Sequence, residues 1–167
     1  MSCLGVHFAL TEQEVAPLRS FADDPSRLEY LKEIIEETYF RDHPHLMAES
    51  DKAWDAMHRA LSDGELTWKG GDHPLNHVVL AGEQLYRGSD YIMSLKTPQQ
   101  VRDIAAALAA ITEADFRRRY FAIDARSYGF PLSEEDFGYT WESLRRVCEL
   151  YQRAADAGRL VLFTADQ

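Results

Sequence analysis

This chain is short of cysteine, basic charge and long apolar runs, and each shortage removes a class of function. Its only cysteines, Cys3 and Cys148, are far apart and form no ligand-spaced pair. The spacing offers neither a disulfide framework nor a cysteine zinc site, and both thiols read as buried and reduced, as in a cytosol. No apolar run approaches the roughly 20 residues that span a bilayer. The opening MSCLGVHFAL lacks the basic start of a secretion signal and runs straight into polar TEQE, so the expected location is the cytoplasm. Eighteen Lys and Arg face twenty-eight Asp and Glu, a net charge of −10 at pH 7. That balance repels phosphate backbones and anionic lipid, so neither nucleic acid nor a membrane surface is an expected partner. There is no GxSxG elbow, and GELTWKGG has glycines without the spacing of a phosphate loop or dinucleotide fingerprint. Internal repeats, low-complexity tracts and linkers are also lacking.

What is present suits one globular domain over residues 1–167, with 46% hydrophobic and 28% charged residues. A chain of this length buries about 70% of its unfolded surface and folds without a disulfide or metal. The charge is uneven: residues 1–50 hold ten acids against four basic residues. Glu29, Glu33, Glu36 and Glu37 sit at helical spacing, which predicts a solvated acidic face. Colloidal solubility is its simplest use; recognition of a basic partner protein is the functional one.

The pattern predicts an α+β fold, a small mixed sheet that includes the N- and C-terminal strands, flanked by about five or six helices. Cys3–Leu10 reads as the first strand. Thr11 and Glu14 have capping-box spacing. A second helix starts with Asp24 as N-cap and Pro25 behind it, and buries Leu28, Leu31, Ile35 and Tyr39. A third runs from Asp51 to Leu61, where Trp54, Met57, His58 and Leu61 share a face. Ser62–Asn76 reads as a loop with room for a strand over 66–69, and His77–Leu85 is open between helical turn and extended chain. Tyr91–Leu95 is a strand. Thr97 and Gln100, then Thr112 and Asp115, open two further helices. Ile123–Pro131 is a loop. Ser133 and Asp136 open the longest helix, with Phe137, Trp141, Leu144, Cys148, Tyr151 and Ala155 on one stripe. Gly158 ends it, and Leu160–Thr164 is the last strand.

For chemistry, Asp55 and His58 stand three apart on a helix, close enough for a carboxylate to orient an imidazole base. With Glu83 in AGEQLY, and Trp54 and Tyr91 as cleft walls, they make up a small hydrolase or ligand-binding enzyme as the alternative to a non-catalytic binding protein. The simpler role for His58 is a core histidine beside Trp54. His43 and His45 flank Pro44, and His73 and His77 are four apart with Pro74 between them. Neither pair reaches the three or four converging ligands that zinc needs, so no metal or cofactor is expected.

Six segments carry a family resemblance: MSCLGVHFAL, DKAWDAMHRAL, HPLNHVVLAGEQL, DYIMSLKTPQQVRDIAAAL, DFRRRYF and LYQRAADAGRLVLF. In that order and over essentially the whole chain, they resemble the YfbM-like family of bacterial proteins of unknown function. The resemblance implies one α+β domain, its sheet flanked by helices, in bacterial cytoplasm, with no established reaction or ligand. SYGFPLSEEDFGYTW departs from the family pattern, with Pro131 and Trp141 farther apart than in many relatives.

Overall fold

A computed structural model describes residues 3–167. Its frame is a five-stranded sheet of β1 (Gly5–Leu10), β2 (Met47–Asp51), β3 (Glu83–Gln84), β4 (Tyr91–Lys96) and β5 (Leu160–Asp166). The order is β2-β1-β5-β4-β3, and every pairing is antiparallel. The first and last strands meet at its centre, His7 opposite Phe163 and Phe163 opposite Ser94.

Side chains alternate across a strand, so Val6, Phe8, Leu162 and Leu95 share one face and His7, Phe163, Ser94 and Lys96 the other. The first face is covered by α2 (Asp24–Tyr30), a π-helical turn (Leu31–Glu36) and α3 (Glu37–Asp42); Phe8 meets Tyr39 edge-on with ring centroids 5.8 Å apart. Beside them lies α1 (Glu12–Ser20), where the Tyr30 hydroxyl donates to Glu14 O. The second face is covered by α4 (Trp54–Leu61), α5 (Pro98–Ala109) and α8 (Glu134–Asp156). There Tyr151 packs on His7 and Trp54 on Phe163, at 5.8 and 5.7 Å between ring centroids. Helices on both faces explain why β1 is buried throughout and shows no polar alternation.

The helix signals hold where they are local. Thr11 with Glu14, Thr97 with Gln100, and Thr112 with Asp115 each form a reciprocal capping box, the last opening α6 (Glu113–Phe121). Gly158 takes φ +66° beyond the end of α8.

Other boundaries differ for tertiary reasons. Asp23, not Asp24, caps α2; the Asp24 carboxylate instead accepts the backbone N–H groups of Arg87 and Gly88 and pairs with Arg27. The π turn sets Leu31, Ile35 and Tyr39, four apart, along one buried line, a spacing that drifts around an α-helix of 3.6 residues per turn. The helix expected from Asp51 starts at Trp54, because residues 47–51 pair with β1 as an edge strand. No strand forms over 66–69, and the loop expected over 123–131 contains α7 (Ala125–Tyr128). The buried side of α8 is wider than a stripe. It takes in Thr140, Ser143, Val147 and Leu150, while Trp141, Cys148 and Ala155 lie at its margin.

The stretch left open at 77–85 has a 3₁₀ turn at its start (Leu75–His77) and then runs buried with little regular structure until β3. Buried carbonyls need donors, and here side chains of other elements supply them. His7 Nε2 and the Tyr151 hydroxyl donate to Val78 O, at 2.8 and 2.7 Å. Lys96 Nζ donates to Val79 O, and Ser94 Oγ to Leu80 O at 2.7 Å. Lys96 is fully buried, and burial holds its ammonium well below the usual lysine range. At the end of this stretch Gly82 has φ +141°, and a Cβ there would stand 2.6 Å from Leu95 O; only glycine fits.

Candidate functional site

The start of α4 builds the floor of an open cleft. Trp54 is 4% exposed and packed on Phe163, with its indole Nε1 donating to Cys3 O at 2.8 Å. The indole reaches this depth because Gly5 leaves the β1 backbone bare: a Cβ at Gly5 would lie 2.7 Å from Trp54 Cδ1. Asp55 follows, and Arg59 one turn on donates from Nε to Asp55 Oδ1 at 2.6 Å. Arg59 is itself buried and donates to Ser127 Oγ at 2.8 Å, while Ser127 donates to Glu65. Burial pushes the Asp55 carboxyl above the usual carboxylate range; Arg59 opposes that rise and the charge of Asp136 adds to it.

The far wall comes from α7 and the start of α8. Ser133 Oγ caps α8 by accepting the Asp136 N–H, but the Asp136 carboxylate does not return the bond. Its Oδ2 accepts instead from the hydroxyls of Tyr120 and Tyr128, at 2.6 and 3.0 Å. Burial first, and Asp136 second, push both phenols upward. Phe130 stands 64% exposed beside Tyr128, and Tyr139 is 41% exposed with its hydroxyl accepting the Lys52 N–H at 3.2 Å. Between these walls lies about 730 Å³ of open space, bounded mainly by Trp54, Leu66, Tyr128, Phe130, Tyr139 and the two aspartates. Among the described residues, Asp55 Oδ2 and Asp136 Oδ1 accept no protein hydrogen bond. The cleft therefore offers aromatic surface and two unfilled carboxylate oxygens.

The residues singled out in sequence are not brought together. Trp54 and Asp55 line the cleft. His58 lies behind it, fully buried, with Nε2 2.8 Å from Thr67 O and Nδ1 without a partner among the described residues. Burial pulls its imidazole down to about 4. Asp55 turns to Arg59 rather than His58, so no carboxylate-oriented imidazole forms at this spot. Glu83 lies on β3 at the opposite edge of the sheet from β2 and pairs with Arg19 at 3.1 Å. Tyr91 is on β4 beside Glu36 and Thr164. Lys52, Tyr128, Phe130, Asp136 and Tyr139 were not picked out as site residues. The visible signal was the density of aromatic and acidic residues in SYGFPLSEEDFGYTW.

The remaining histidines stay in their pairs: His43 against His45, and His73 against His77 with His73 Nε2 3.1 Å from Asp103. Among the described residues no three His, Cys, Asp or Glu converge as a metal site, and no helix is long and apolar enough to cross a membrane.

Fold and cleft together define an α+β domain with helices on both faces of an antiparallel sheet and one aromatic, acid-edged opening beside α4. Residues 1–164 match the model of the family described as Domain of unknown function (DUF1877), and the chain belongs to that family. Among solved structures it is similar to a protein of unknown function, YfbM from Escherichia coli, with a TM-score of 0.61 and 18% identity. The match covers 97% of this chain and 99% of that one, and at that identity it speaks for the fold. No curated protein matches.

Proposed function

We propose that this is a non-catalytic binding domain and that the cleft beside α4 is where its ligand sits. One observation carries the reading: an opening of about 730 Å³ walled by Trp54, Tyr128, Phe130 and Tyr139, with polar groups confined to a few positions. Small-molecule sites share that volume and composition. The titratable groups nearby favour binding over chemistry. His58 is shut away from the opening, Asp55 is engaged by Arg59, and Asp136 is held by two phenols. An imidazole base must reach the substrate proton, and His58, fully buried, does not; the two carboxylates at the opening each keep one oxygen for a ligand.

The test is an NMR fragment screen of the ¹⁵N-labelled protein. Aromatic fragments should shift the Trp54 indole N–H and the amides of Phe130 and Tyr139 together, and Phe130→Ala should abolish those shifts while leaving stability unchanged. A screen in which no fragment moves these signals removes the reading.

The N-terminal helices support a second contact, with a basic protein partner. Glu29, Glu33 and Glu37 are exposed there, and Ile34 is 51% exposed among them. Affinity capture at low salt with no enriched basic protein would dispose of it.

A further inference from the structure

The cleft's walls and its charge point to one chemical class of ligand, and this inference rests on the binding reading above. We propose that the cleft takes a small organic ammonium: a protonated amine on an aryl or alkyl body, its body against the aromatic walls and its cationic head at Asp55 Oδ2 and Asp136 Oδ1. Three observations converge. The two oxygens are acceptors with no protein donor among the described residues, on carboxylates close enough for the charge of one to perturb the other. Tyr120 and Tyr128 fix Asp136 in place, so its free oxygen is already oriented before a ligand arrives. Finally, the exposed rings of Phe130 and Tyr139 present the kind of π surface that attracts cations.

Charge around the opening agrees. Asp51, Asp55, Glu65 and Asp136 stand at or beside it against Lys52, Arg59 and Arg146, and Arg59 is committed to Asp55. An anionic ligand would meet these carboxylates at the floor. A neutral hydroxyl has one donor for the two oxygens and no charge to match theirs, so it forms the weaker contact. The volume suits a free molecule rather than a segment of protein.

The experiment compares three probes of one shape, 2-phenylethylammonium, 2-phenylethanol and phenylacetate, by calorimetry and by the Trp54 indole N–H signal. The ammonium should bind at least about tenfold more tightly than the alcohol, with phenylacetate weakest, a margin that one charge-assisted hydrogen bond provides. Raising NaCl should narrow the margin. Asp136→Asn, which keeps the shape and can still accept from both tyrosines, should erase it. Alcohol and ammonium binding equally in the cleft would overturn the ammonium inference and leave the binding reading standing. No probe reaching Trp54 would remove both. The wild-type probe series and its salt dependence decide the matter even if the variant fails to fold.

Discussion

Acid should unfold this domain through two imidazoles that the fold keeps neutral. His7 and His58 are fully buried, each has one nitrogen against a backbone carbonyl, Val78 O and Thr67 O, and in each Nδ1 has no partner among the described residues. Burial lowers His7 from 6.5 to about 3, with Lys96 adding repulsion, and His58 to about 4. A base whose folded value is depressed binds its proton more readily in the unfolded chain. Stability is therefore complete above the unfolded value of 6.5 and falls as pH drops toward 3 or 4. At about 1.4 kcal/mol per unit, each histidine removes about 3 kcal/mol at pH 4. Two together approach the whole stability of a typical domain, roughly 5–15 kcal/mol. The perturbation is His7→Gln with His58→Gln, since a glutamine amide can donate to the same carbonyl and does not titrate. Urea unfolding followed by tryptophan fluorescence at pH 7, 6, 5 and 4 gives each stability. The double variant should start lower at pH 7 and lose about 6 kcal/mol less than wild type by pH 4. Carboxylates that weaken in acid are common to both proteins and cancel in the difference. Parallel pH curves for the two proteins would show that the imidazoles are not kept neutral, and the reasoning would be refuted.

Four further outcomes follow from single contacts. Gly5→Ala should drive the Trp54 indole off the β1 backbone and cost about 1–3 kcal/mol, read by thermal unfolding with a changed tryptophan emission. Asp55→Ala should leave the buried Arg59 guanidinium short of its closest anion and cost on the order of 3 kcal/mol in urea. Phe130→Ala should change stability by less than about 0.5 kcal/mol, because the ring is 64% exposed. Burial holds the Lys96 ammonium well below the usual lysine range, so wild-type stability should climb as pH rises toward 10.5, the value of the unfolded chain, and Lys96→Met should flatten that climb; a slope equal in both proteins would contradict it.

Elements with a local cause were legible in the sequence. Threonine three residues before Glu, Gln or Asp announced three helix starts, and Gly158 announced the end of α8. What depended on distant partners was not. The helix expected from Asp51 begins later because residues 47–51 pair with the edge of β1. Lys96 lies just past the strand expected over 91–95, and its burial depends on acceptors at Val79 and Ser94. At the site, Asp55 was singled out for its spacing to His58 and Trp54 for the apolar face it shares with His58, and both line the cleft. Asp136 was read as part of a cap, because nothing in its neighbourhood reveals that Tyr120 and Tyr128 claim its carboxylate. Asp55 has partners suited to a carboxylate three and four positions away; the guanidinium, with a fork of donors, holds it, and His58 takes the core position that was its simpler role.

The buried passage from Val78 to Ala81 hangs on side chains rather than on a neighbouring backbone. Backbone partners are indifferent to which amino acid supplies them, whereas these partners exist only while particular residues do. Drift at positions 7, 94, 96 and 151 is consequently correlated: a lineage that abandons the lysine strands an oxygen unless another position changes in compensation. Relatives of this chain should keep the quartet intact or replace it in concert with the passage it suspends.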